Sequence, residues 1–446
     1  MKTVFFHLMP YPELPEDFAE NNRSVWVDID PILYDPVVGH RAYNTYIDQL
    51  EFAATVGFDG LGVNEHHANA YGLMPSPNLI ASALARSSPD AAIVVLGDSV
   101  ALYNPPIRVA EELAMLDAIS GGRVVAGFPV GSPMDTIFAY GQNPATLRER
   151  YLEGVDLILK AWTADEVFSF NGNYTKLRYV NVWPRPVQKP HPPIWIPGGG
   201  SVDTWAWCAE NELVYCYLSY FGYKAGLNTM RGFWNKCAEL GVEPNPFMGG
   251  FAQFIACAES EAEAIDLYRE PAEYFFNRCL HLYPGFTDPP GYKTVNTVRS
   301  GAEGMVERAA REASAQGRGS GSTGRNRSDS SKRLTFEEMV DKGYIVAGTP
   351  TQVTEQLHEL CTELNVGHLM ALCHFGNMKP ELVKYNTELV GTKVLPELRG
   401  LFEDEWEDKW WPKPLSPDER YEPTGATKPV RRAKPRKATK SGGEVK

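Results

Sequence analysis

Eight short apolar runs, separated by amphipathic helical patterns, constrain the fold of this chain most strongly. Each run has at most eight residues, is rich in Val, Ile, Leu and Phe, and shows little polar alternation, as strands buried in a parallel sheet do. The runs are TVFFHLM (3–9), DGLGV (59–63), AAIVVLG (91–97), RVVAGF (123–128), PIWIPG (193–198), LVYCYL (213–218), FAQFIACA (251–258) and HLMALC (368–373). Eight strands alternating with helices predict an α/β fold, a (β/α)₈ TIM barrel rather than an open doubly wound sheet.

The segment IRVAEELAMLDAIS (107–120) illustrates the helical pattern between the runs. Val109, Leu113, Leu116 and Ile119 recur at helical spacing, so we expect them to share one face. Two glycines follow at 121–122, and glycine readily adopts the left-handed conformation that ends a helix. The sequence therefore predicts a helix that stops at this point.

The overall charge and the cysteine pattern limit the function classes. A formal net charge of -13 argues against general nucleic-acid binding. No run approaches the 18 consecutive apolar residues of a membrane helix, and the first residues lack the layout of a signal peptide. Seven scattered cysteines without a CxxC pair are typical of reduced thiols. We therefore expect a soluble, cytoplasmic protein without a membrane or a specific nucleic-acid partner.

The second run ends in Asn64-Glu65-His66-His67, and this motif has three interpretations. Adjacent side chains on a strand point to opposite sides, and the spacing is neither HExxH nor HxH, so a metal site is disfavoured. A polar loop that happens to contain histidines is a second interpretation. The third places one imidazole at the mouth of the barrel, where it could transfer a proton near neutral pH.

The sequence PGGGSVDTW (197–205) contains a strand end, three glycines and the start of a helix at Ser201. Glycines allow backbone N–H groups to approach an anion closely, and a helix N-terminus adds a positive dipole. This pattern favours a phosphate site. A tight turn with Ser201 as an ordinary N-cap is the alternative.

A GxGxxG match at Gly319–Gly324 does not predict a dinucleotide site. It lies within SAQGRGSGSTGRNRSDSSKR, a stretch rich in Gly, Ser and Arg with no strand before it. Such a composition buries little apolar surface, which indicates a mobile loop. The chain also lacks GxxxxGK[ST].

Several motifs in one order resemble the bacterial-luciferase-like family of flavin-dependent monooxygenases, over roughly residues 1–400. The resemblance is carried by FDGLGVNEHH (58–67), PPIRVAEELAMLDAISGGRVVAGFPVG (105–131), PIWIPGGGSVDTWAWCAE (193–210), PPGY (289–292) and IVAGTPTQVTEQL (345–357). That family has the (β/α)₈ barrel fold, which agrees with the periodicity.

The resemblance implies a site for FMN. The FMN phosphate is expected on Gly199, Gly200 and Ser201, and Tyr151 aligns with a position where some relatives contact it. Bacterial luciferase has an arginine after strand four where Val130 stands here. Either Arg148 or Arg150 is expected to supply this positive charge instead.

The resemblance also implies a non-prolyl cis peptide after strand three, at Gly97-Asp98, which would make room for the flavin ring. Such a bond costs about 3 kcal/mol and persists where packing and function enforce it. Asp98 as a simple capping residue at the strand end is the alternative.

Three histidines are the candidate catalytic residues. His66 aligns with the family histidine tied to activity, and an imidazole there could move a proton during oxygen chemistry. His7 (FFHLMP) and His374 (LCHFG) follow strands one and eight and are expected at the same rim. Either could instead be a hydrogen-bonded core histidine.

The domain prediction is a barrel over 1–402 with a mobile lid insertion at about 283–333, followed by an extension over 403–446. The last 20 residues hold eight Lys or Arg and one Glu, which indicates a disordered basic tail.

The resemblance implies an oxygenase that receives reduced FMN from a separate flavin reductase. With O₂ it would oxygenate a small, apolar or aromatic molecule, and we expect a homo-oligomer, dimer or tetramer. The alternatives are a deazaflavin-dependent oxidoreductase of the same superfamily and a non-catalytic flavin-binding protein.

Overall fold

Eight parallel strands close into a barrel in the computed structural model, which describes residues 1–218, 220–299 and 333–421. The barrel order is β1-β2-β3-β4-β7-β8-β9-β11, and β11 pairs with β1 to complete the ring. The strands are β1 (Lys2–Phe6), β2 (Gly60–Val63), β3 (Ala92–Val95), β4 (Val124–Gly127), β5 (Phe168–Asn171), β6 (Lys176–Val180), β7 (Ile194–Gly198), β8 (Val214–Tyr217), β9 (Gly249–Cys257), β10 (Ile345–Gly348) and β11 (His368–Leu372). The predicted (β/α)₈ barrel is confirmed, with all eight predicted runs as its strands.

Helices follow the barrel strands and cover the outside of the ring. The α-helices whose two ends both lie in the described residues are Phe18–Asn21, Pro36–Thr55, Pro77–Ser87, Ile107–Ser120, Pro144–Thr163, Val202–Glu210, Gly222–Glu239, Glu261–Tyr274, Pro284–Thr287, Phe336–Asp341, Pro350–Leu364, Pro380–Leu389 and Leu395–Leu398. Residues 295–299 are also helical. The helix predicted over 107–120 forms with those bounds, and Gly121 ends it with φ of 69°. Ile119 is the exception on its predicted face, because it is 41% exposed.

Three strands lie outside the eight-stranded ring. β5 and β6 form an antiparallel hairpin between β4 and β7, and most of its residues are exposed or half-buried. The search for continuous apolar runs missed this hairpin because its residues alternate in burial along β5. β10 pairs with the second half of β9, so the long strand β9 has partners beyond the end of β8.

Residues up to Pro414 form one compact unit, and Leu415–Lys446 form a second. In the first unit, the segment after residue 402 packs beside the first residues of β11. His368 and Asp408 are paired at 3.2 Å from Nε2 to Oδ2, and the His368 ring stacks on Trp411. The predicted division at residue 402 stays a prediction.

Most of the predicted lid insertion and most of the extension lie outside the described residues. Residues 300–332 include the GxGxxG match and the proposed lid centre, and residues 422–446 include the basic tail. The described start of the insertion, 283–299, includes the short helix Pro284–Thr287. Within the second unit, the described residues contain a 3₁₀ turn at Pro417–Glu419.

Arg123, at the start of β4, is a buried cation held by backbone carbonyls. Its guanidinium lies where the helix Pro77–Ser87 ends, next to the start of β3. The guanidinium donates to the carbonyl oxygens of Ser120, Ser88, Ala91 and Ala85. Because helix ends leave carbonyls without intrahelical partners, this side chain joins two helix C-termini to the sheet.

We expect Arg123→Met to lower the free energy of unfolding by about 3 kcal/mol, because several buried carbonyls would lose a charged donor. Urea unfolding at neutral pH measures the change. The free energy of unfolding of Arg123→Lys should lie between those of the wild type and Arg123→Met. An ammonium retains the charge but lacks the forked set of donors of a guanidinium. The exposed Arg178 is the control, and Arg178→Met should change stability by about 0.5 kcal/mol or less. Equal effects at both positions would contradict the role given to Arg123.

Candidate active site

A cavity of about 390 Å³ opens at the carboxyl ends of the barrel strands. All eight barrel strands contribute to its wall, seven of them at or just after their ends and the longer β9 from its middle. In strand order these wall residues are Phe6, Asn64, Leu96, Pro129, Gly198, Leu218, Ala252 and Leu372. In (β/α)₈ enzymes this end of the barrel carries the active site.

The Gly199–Ser201 loop lies in the wall of this cavity. Gly200 has φ of 102°, a conformation that suits glycine, and a Cβ at Gly199 would meet open space. Ser201 is the N-cap of the helix Val202–Glu210, but its side chain makes no capping bond. Within the described ranges, no hydrogen bond uses the N–H groups of these three residues. These donors and the helix dipole suit an anion.

Arg148 adds a positive charge to the same part of the wall. Its guanidinium donates to Thr204 Oγ1 at 3.2 Å, on the first turn of the helix that follows the glycine loop. The guanidinium of Arg150 instead lies over the ring of Tyr174, 5.6 Å from its centroid. Of the two arginines that the sequence left open, Arg148 is therefore the one at the cavity.

Tyr151 does not reach the cavity. Its side chain is buried, and its hydroxyl donates to the Phe128 carbonyl at 2.7 Å. Its ring packs edge-on against Trp207, and burial raises the pKa of the hydroxyl well above its usual value. This position corrects the prediction that Tyr151 contacts the phosphate, because its hydroxyl is hydrogen-bonded to a carbonyl in the core.

His66 lines the cavity and is held by a buried carboxylate. Its Nδ1 lies 2.9 Å from Asp135 Oδ2. Since an ionised carboxylate can only accept, Nδ1 carries the proton and Nε2 is left as the basic nitrogen. No hydrogen-bond partner for Nε2 lies among the described residues. The imidazole is thus oriented with one free nitrogen, as in an acid–base dyad.

Asp135 accepts further hydrogen bonds that hold its charge. Its oxygens receive the Trp26 indole N–H at 3.0 Å, the His67 backbone N–H at 2.8 Å and the Ser132 hydroxyl at 2.8 Å. Burial acts to raise its pKa, but the interaction with His66 and these donors outweigh it and lower the pKa. Sequence reasoning missed Asp135. The only available signal was its place soon after the end of barrel strand four.

His67 points away from His66, as alternation along an extended chain requires. Its Nε2 lies 3.1 Å from Glu65 Oε1, and its Nδ1 lies 3.3 Å from the Tyr140 hydroxyl. The Glu-His-His motif therefore forms two separate acid–imidazole pairs, one with Asp135 and one within the motif.

His7 and His374 are core residues and do not line the cavity. His7 Nδ1 accepts from the Met9 N–H and its Nε2 lies beside Gln49 Oε1, both at 2.9 Å. The two imidazoles stack at 4.4 Å, and both ring nitrogens of His374 are buried without partners. Burial lowers the pKa of His7 to about 4 and that of His374 well below its usual value. The expected catalytic positions at the rim are corrected, and both histidines are neutral packing residues.

Gly97 lines the cavity, but the bond to Asp98 is not cis. The three cis bonds in the described part of the chain all precede proline. Asp98 instead donates its N–H to the Gly127 carbonyl at 3.0 Å, so the expected cis peptide is corrected. A Cβ on Gly97 would lie 2.3 Å from the Glu65 nitrogen, which explains the glycine by close backbone approach.

Asp98 lies behind the cavity wall in a cluster of polar side chains. Its Oδ1 accepts from Asn78 at 3.0 Å and lies 3.4 Å from the Tyr103 hydroxyl oxygen. Burial first, and then the charges of Glu65 and Glu112, raise the pKa of Asp98 well above its usual value. Asp98 lies outside the cavity lining and is held by buried polar partners, so the cofactor contact expected of it is corrected.

The described start of the insertion contributes one side of the cavity. Tyr292, Lys293, Thr294 and Thr297 line it, and the Tyr292 hydroxyl donates to the Gly131 carbonyl at 2.7 Å. The sequence marked PPGY by resemblance only, so the contribution of Lys293 to this wall was not anticipated.

The described residues contain neither a cluster of metal ligands nor a membrane-spanning helix. No three His, Cys, Asp or Glu side chains there are arranged to hold a metal ion. No helix in the same ranges is long and apolar enough to cross a bilayer.

A sequence model of the luciferase-like monooxygenase family matches residues 29–366. The chain belongs to this family. It is 30% identical over 161 residues to the oxygenase component of a flavin-dependent trigonelline monooxygenase from Acinetobacter baylyi, covering 35% of this chain and 43% of that protein. The chain spans about half of the length, or less, of the curated relatives that it matches.

Solved structures of flavin-dependent and F420-dependent enzymes share the fold. The oxygenating constituent of 3,6-diketocamphane monooxygenase from Pseudomonas putida, in complex with FMN, superposes with a TM-score of 0.62 at 19% identity, covering 89% of this chain and 98% of that chain. An F420-dependent secondary alcohol dehydrogenase superposes with a TM-score of 0.56 at 18% identity, covering 80% of this chain and 95% of that chain. This luciferase-like barrel therefore occurs with more than one flavin-type cofactor.

Asp135→Asn should reduce stability at pH 7 and flatten its dependence on pH. The folded pKa of Asp135 is depressed, so its contribution is present above the unfolded value near 3.9 and is lost as pH falls through the folded pKa. We expect a loss of about 1–3 kcal/mol at pH 7, the size for hydrogen bonds to a buried charge. The difference from wild type should shrink below about pH 4.

Chemical denaturation from pH 7 to pH 3 measures this difference. The control is the exposed Asp90 as Asp90→Asn, which should leave the curve unchanged. A pH-independent loss at Asp135 would show that its charge does not contribute.

Proposed function

We propose that this chain is the oxygenase of a two-component flavin-dependent monooxygenase. It would take reduced FMN from a separate flavin reductase and use O₂ to oxygenate a small, apolar or aromatic organic molecule. One observation carries the proposal: a single cavity joins an anion-suited loop beside Arg148 to the His66–Asp135 dyad. The family membership and the FMN-containing structural relative support it.

The loop side of the cavity fits the FMN phosphate. Three backbone N–H groups without partners in the described chain, the start of a nine-residue helix and the Arg148 guanidinium converge there. A dianion at this point would gain charge-assisted hydrogen bonds and a favourable helix dipole. The residues present thus fit FMN, and a dinucleotide-binding GxGxxG motif is not needed to hold its phosphate.

The dyad side of the cavity provides acid–base chemistry. Bound reduced flavin would supply electrons to O₂. His66, with Nδ1–H fixed on Asp135, can accept or return a proton at Nε2. Asp135 keeps that tautomer and stabilises the imidazolium when it forms, because its own charge is held by other donors.

The remaining wall is mostly apolar and supports an apolar or aromatic substrate. Phe6, Leu96, Val130, Leu218 and Leu372 contribute side chains from five different strand ends. Such a wall excludes water from the reacting centre, which strengthens the electrostatic effects of the dyad.

A deazaflavin-dependent oxidoreductase is the second candidate, favoured by the F420-dependent structural relative. That reaction is a hydride transfer without O₂. Formation of an oxygenated product from photoreduced FMN and O₂ separates the two candidates, since reduced FMN consumes O₂ by itself but only the monooxygenase transfers an oxygen atom to a substrate. The homo-oligomer and the cytoplasmic location stay predictions.

The first test concerns recognition of the phosphate. The protein should bind FMN more tightly than riboflavin, because the dianion meets the loop and Arg148. Arg148→Met should weaken FMN binding about tenfold or more and leave riboflavin binding nearly unchanged. Fluorescence titration measures both affinities. Arg150→Met is the matched control, since Arg150 lies over Tyr174, and equal affinities for FMN and riboflavin would refute the phosphate site.

The second test concerns the dyad. His66→Ala should fold and bind FMN, because the phosphate loop lies on another strand end. Turnover should fall about 10²–10⁴-fold, the usual effect of removing a positioned acid or base, while hydrogen peroxide release rises. Product formation and oxygen consumption, measured together with an added reductase, report the coupling.

The exposed His358 provides the control as His358→Ala, which should retain wild-type coupling. Full coupling of oxygen consumption to product formation in His66→Ala would show that the dyad takes no part in the reaction. It would not contradict the FMN site.

A further inference from the structure

A second hydrogen-bonded chain leads from the cavity wall to the protein surface. Glu65 lines the cavity, and its carboxylate is buried. His67 lies next, with Nε2 3.1 Å from Glu65 Oε1, and Tyr140 follows, with its hydroxyl 3.3 Å from His67 Nδ1. Tyr140 is 48% exposed, so the far end of the chain meets solvent.

The three groups have the donors and acceptors that a proton path requires. Glu65 Oε1 can accept from His67 Nε2–H, which leaves Nδ1 of the neutral ring as an acceptor. The Tyr140 hydroxyl can donate to that Nδ1. The rings of His67 and Tyr140 also pack together at 4.4 Å, which holds the two polar atoms in range.

Other contacts fix the position of Glu65 without interrupting the chain. The Ser99 N–H donates to Oε2 at 2.6 Å, and the Tyr103 hydroxyl donates to Oε1 at 3.2 Å. Burial and the charges of Glu65 and Glu112 raise the pKa of neighbouring Asp98. Glu65 is thus an anchored carboxylate between the cavity and an imidazole.

We propose that Glu65, His67 and Tyr140 form a proton relay between the cavity and solvent, separate from the His66–Asp135 dyad. The role of this relay in oxygenation rests on the proposed function, whereas proton transfer along the relay needs no cofactor.

In the inward direction, the Tyr140 O–H passes its proton to His67 Nδ1, and the phenolic oxygen takes one from a solvent hydronium ion. The Nε2–H proton then moves to Glu65 Oε1. One proton enters, one water molecule is released from hydronium, and no other bonds change.

The two imidazoles of the motif therefore have different tasks. His66 presents a nitrogen to the cavity but is closed off behind by buried Asp135 and Trp26. His67 is remote from the cavity but connects to the surface. A group that moves a proton in every cycle needs resupply, and the relay would bring protons as far as Glu65, in the wall of the same cavity.

The decisive measurement uses the flavin-free protein with ¹⁵N-labelled histidine. Nuclear magnetic resonance gives the rate at which the His67 Nε2–H exchanges with water, and His67→Gln assigns the signal. Tyr140→Phe retains the ring packing on His67 but removes the hydroxyl, so exchange should slow about 10²-fold. Tyr179, which is 76% exposed, is the matched control, and Tyr179→Phe should exchange at the wild-type rate.

A readout during turnover complements the exchange rate. His67→Ala should lose turnover and regain it when free imidazole is added, which a purely structural role would not allow. Unchanged exchange in Tyr140→Phe would overturn the relay, because solvent would then reach His67 by another route. Slowed exchange together with an absence of oxygenase activity would retain the relay and reject the proposed function, so the two failures are distinguishable.

Discussion

Closure of the parallel sheet is the constraint on which the rest of this structure depends. Hydrogen bonds between β8 and β9 and between β11 and β1 complete the ring, so that no barrel strand has an open edge. Closure also brings residues from eight strands, far apart in sequence, around one cavity. Every functional group discussed above owes its neighbours to that ring. His66 and Asp135, for example, are 69 residues apart in the chain and 2.9 Å apart in space.

Alternation at the end of β2 then divides the Glu-His-His motif between two environments. Successive side chains of an extended segment point to opposite sides, so His66 enters the cavity and His67 turns toward Tyr140. Each imidazole meets its own carboxylate, Asp135 or Glu65. A single short motif can therefore provide both a reacting group and a route for its protons.

The buried ionisable side chains are each matched to their surroundings. His66 and several hydrogen-bond donors lower the pKa of Asp135 despite its burial, whereas burial and the charges of two nearby carboxylates raise the pKa of Asp98. Arg123 donates to several backbone carbonyls and joins helix ends to the sheet. On the cavity side, the unpaired backbone donors and Arg148 leave a local positive region for an anion.

The sequence by itself determined the barrel, the glycine loop and the position of His66. Each of these follows from a local pattern: a continuous apolar run, a glycine cluster before a helix, or a residue at a strand end. Only the tertiary structure decided which side chains meet. It paired His66 with Asp135, chose Arg148 over Arg150 at the cavity, and buried His7, His374 and Tyr151 in the core. Periodicity states that a residue lies at a strand end, but strand twist and helix packing decide whether its side chain turns toward the cavity or the surrounding helices.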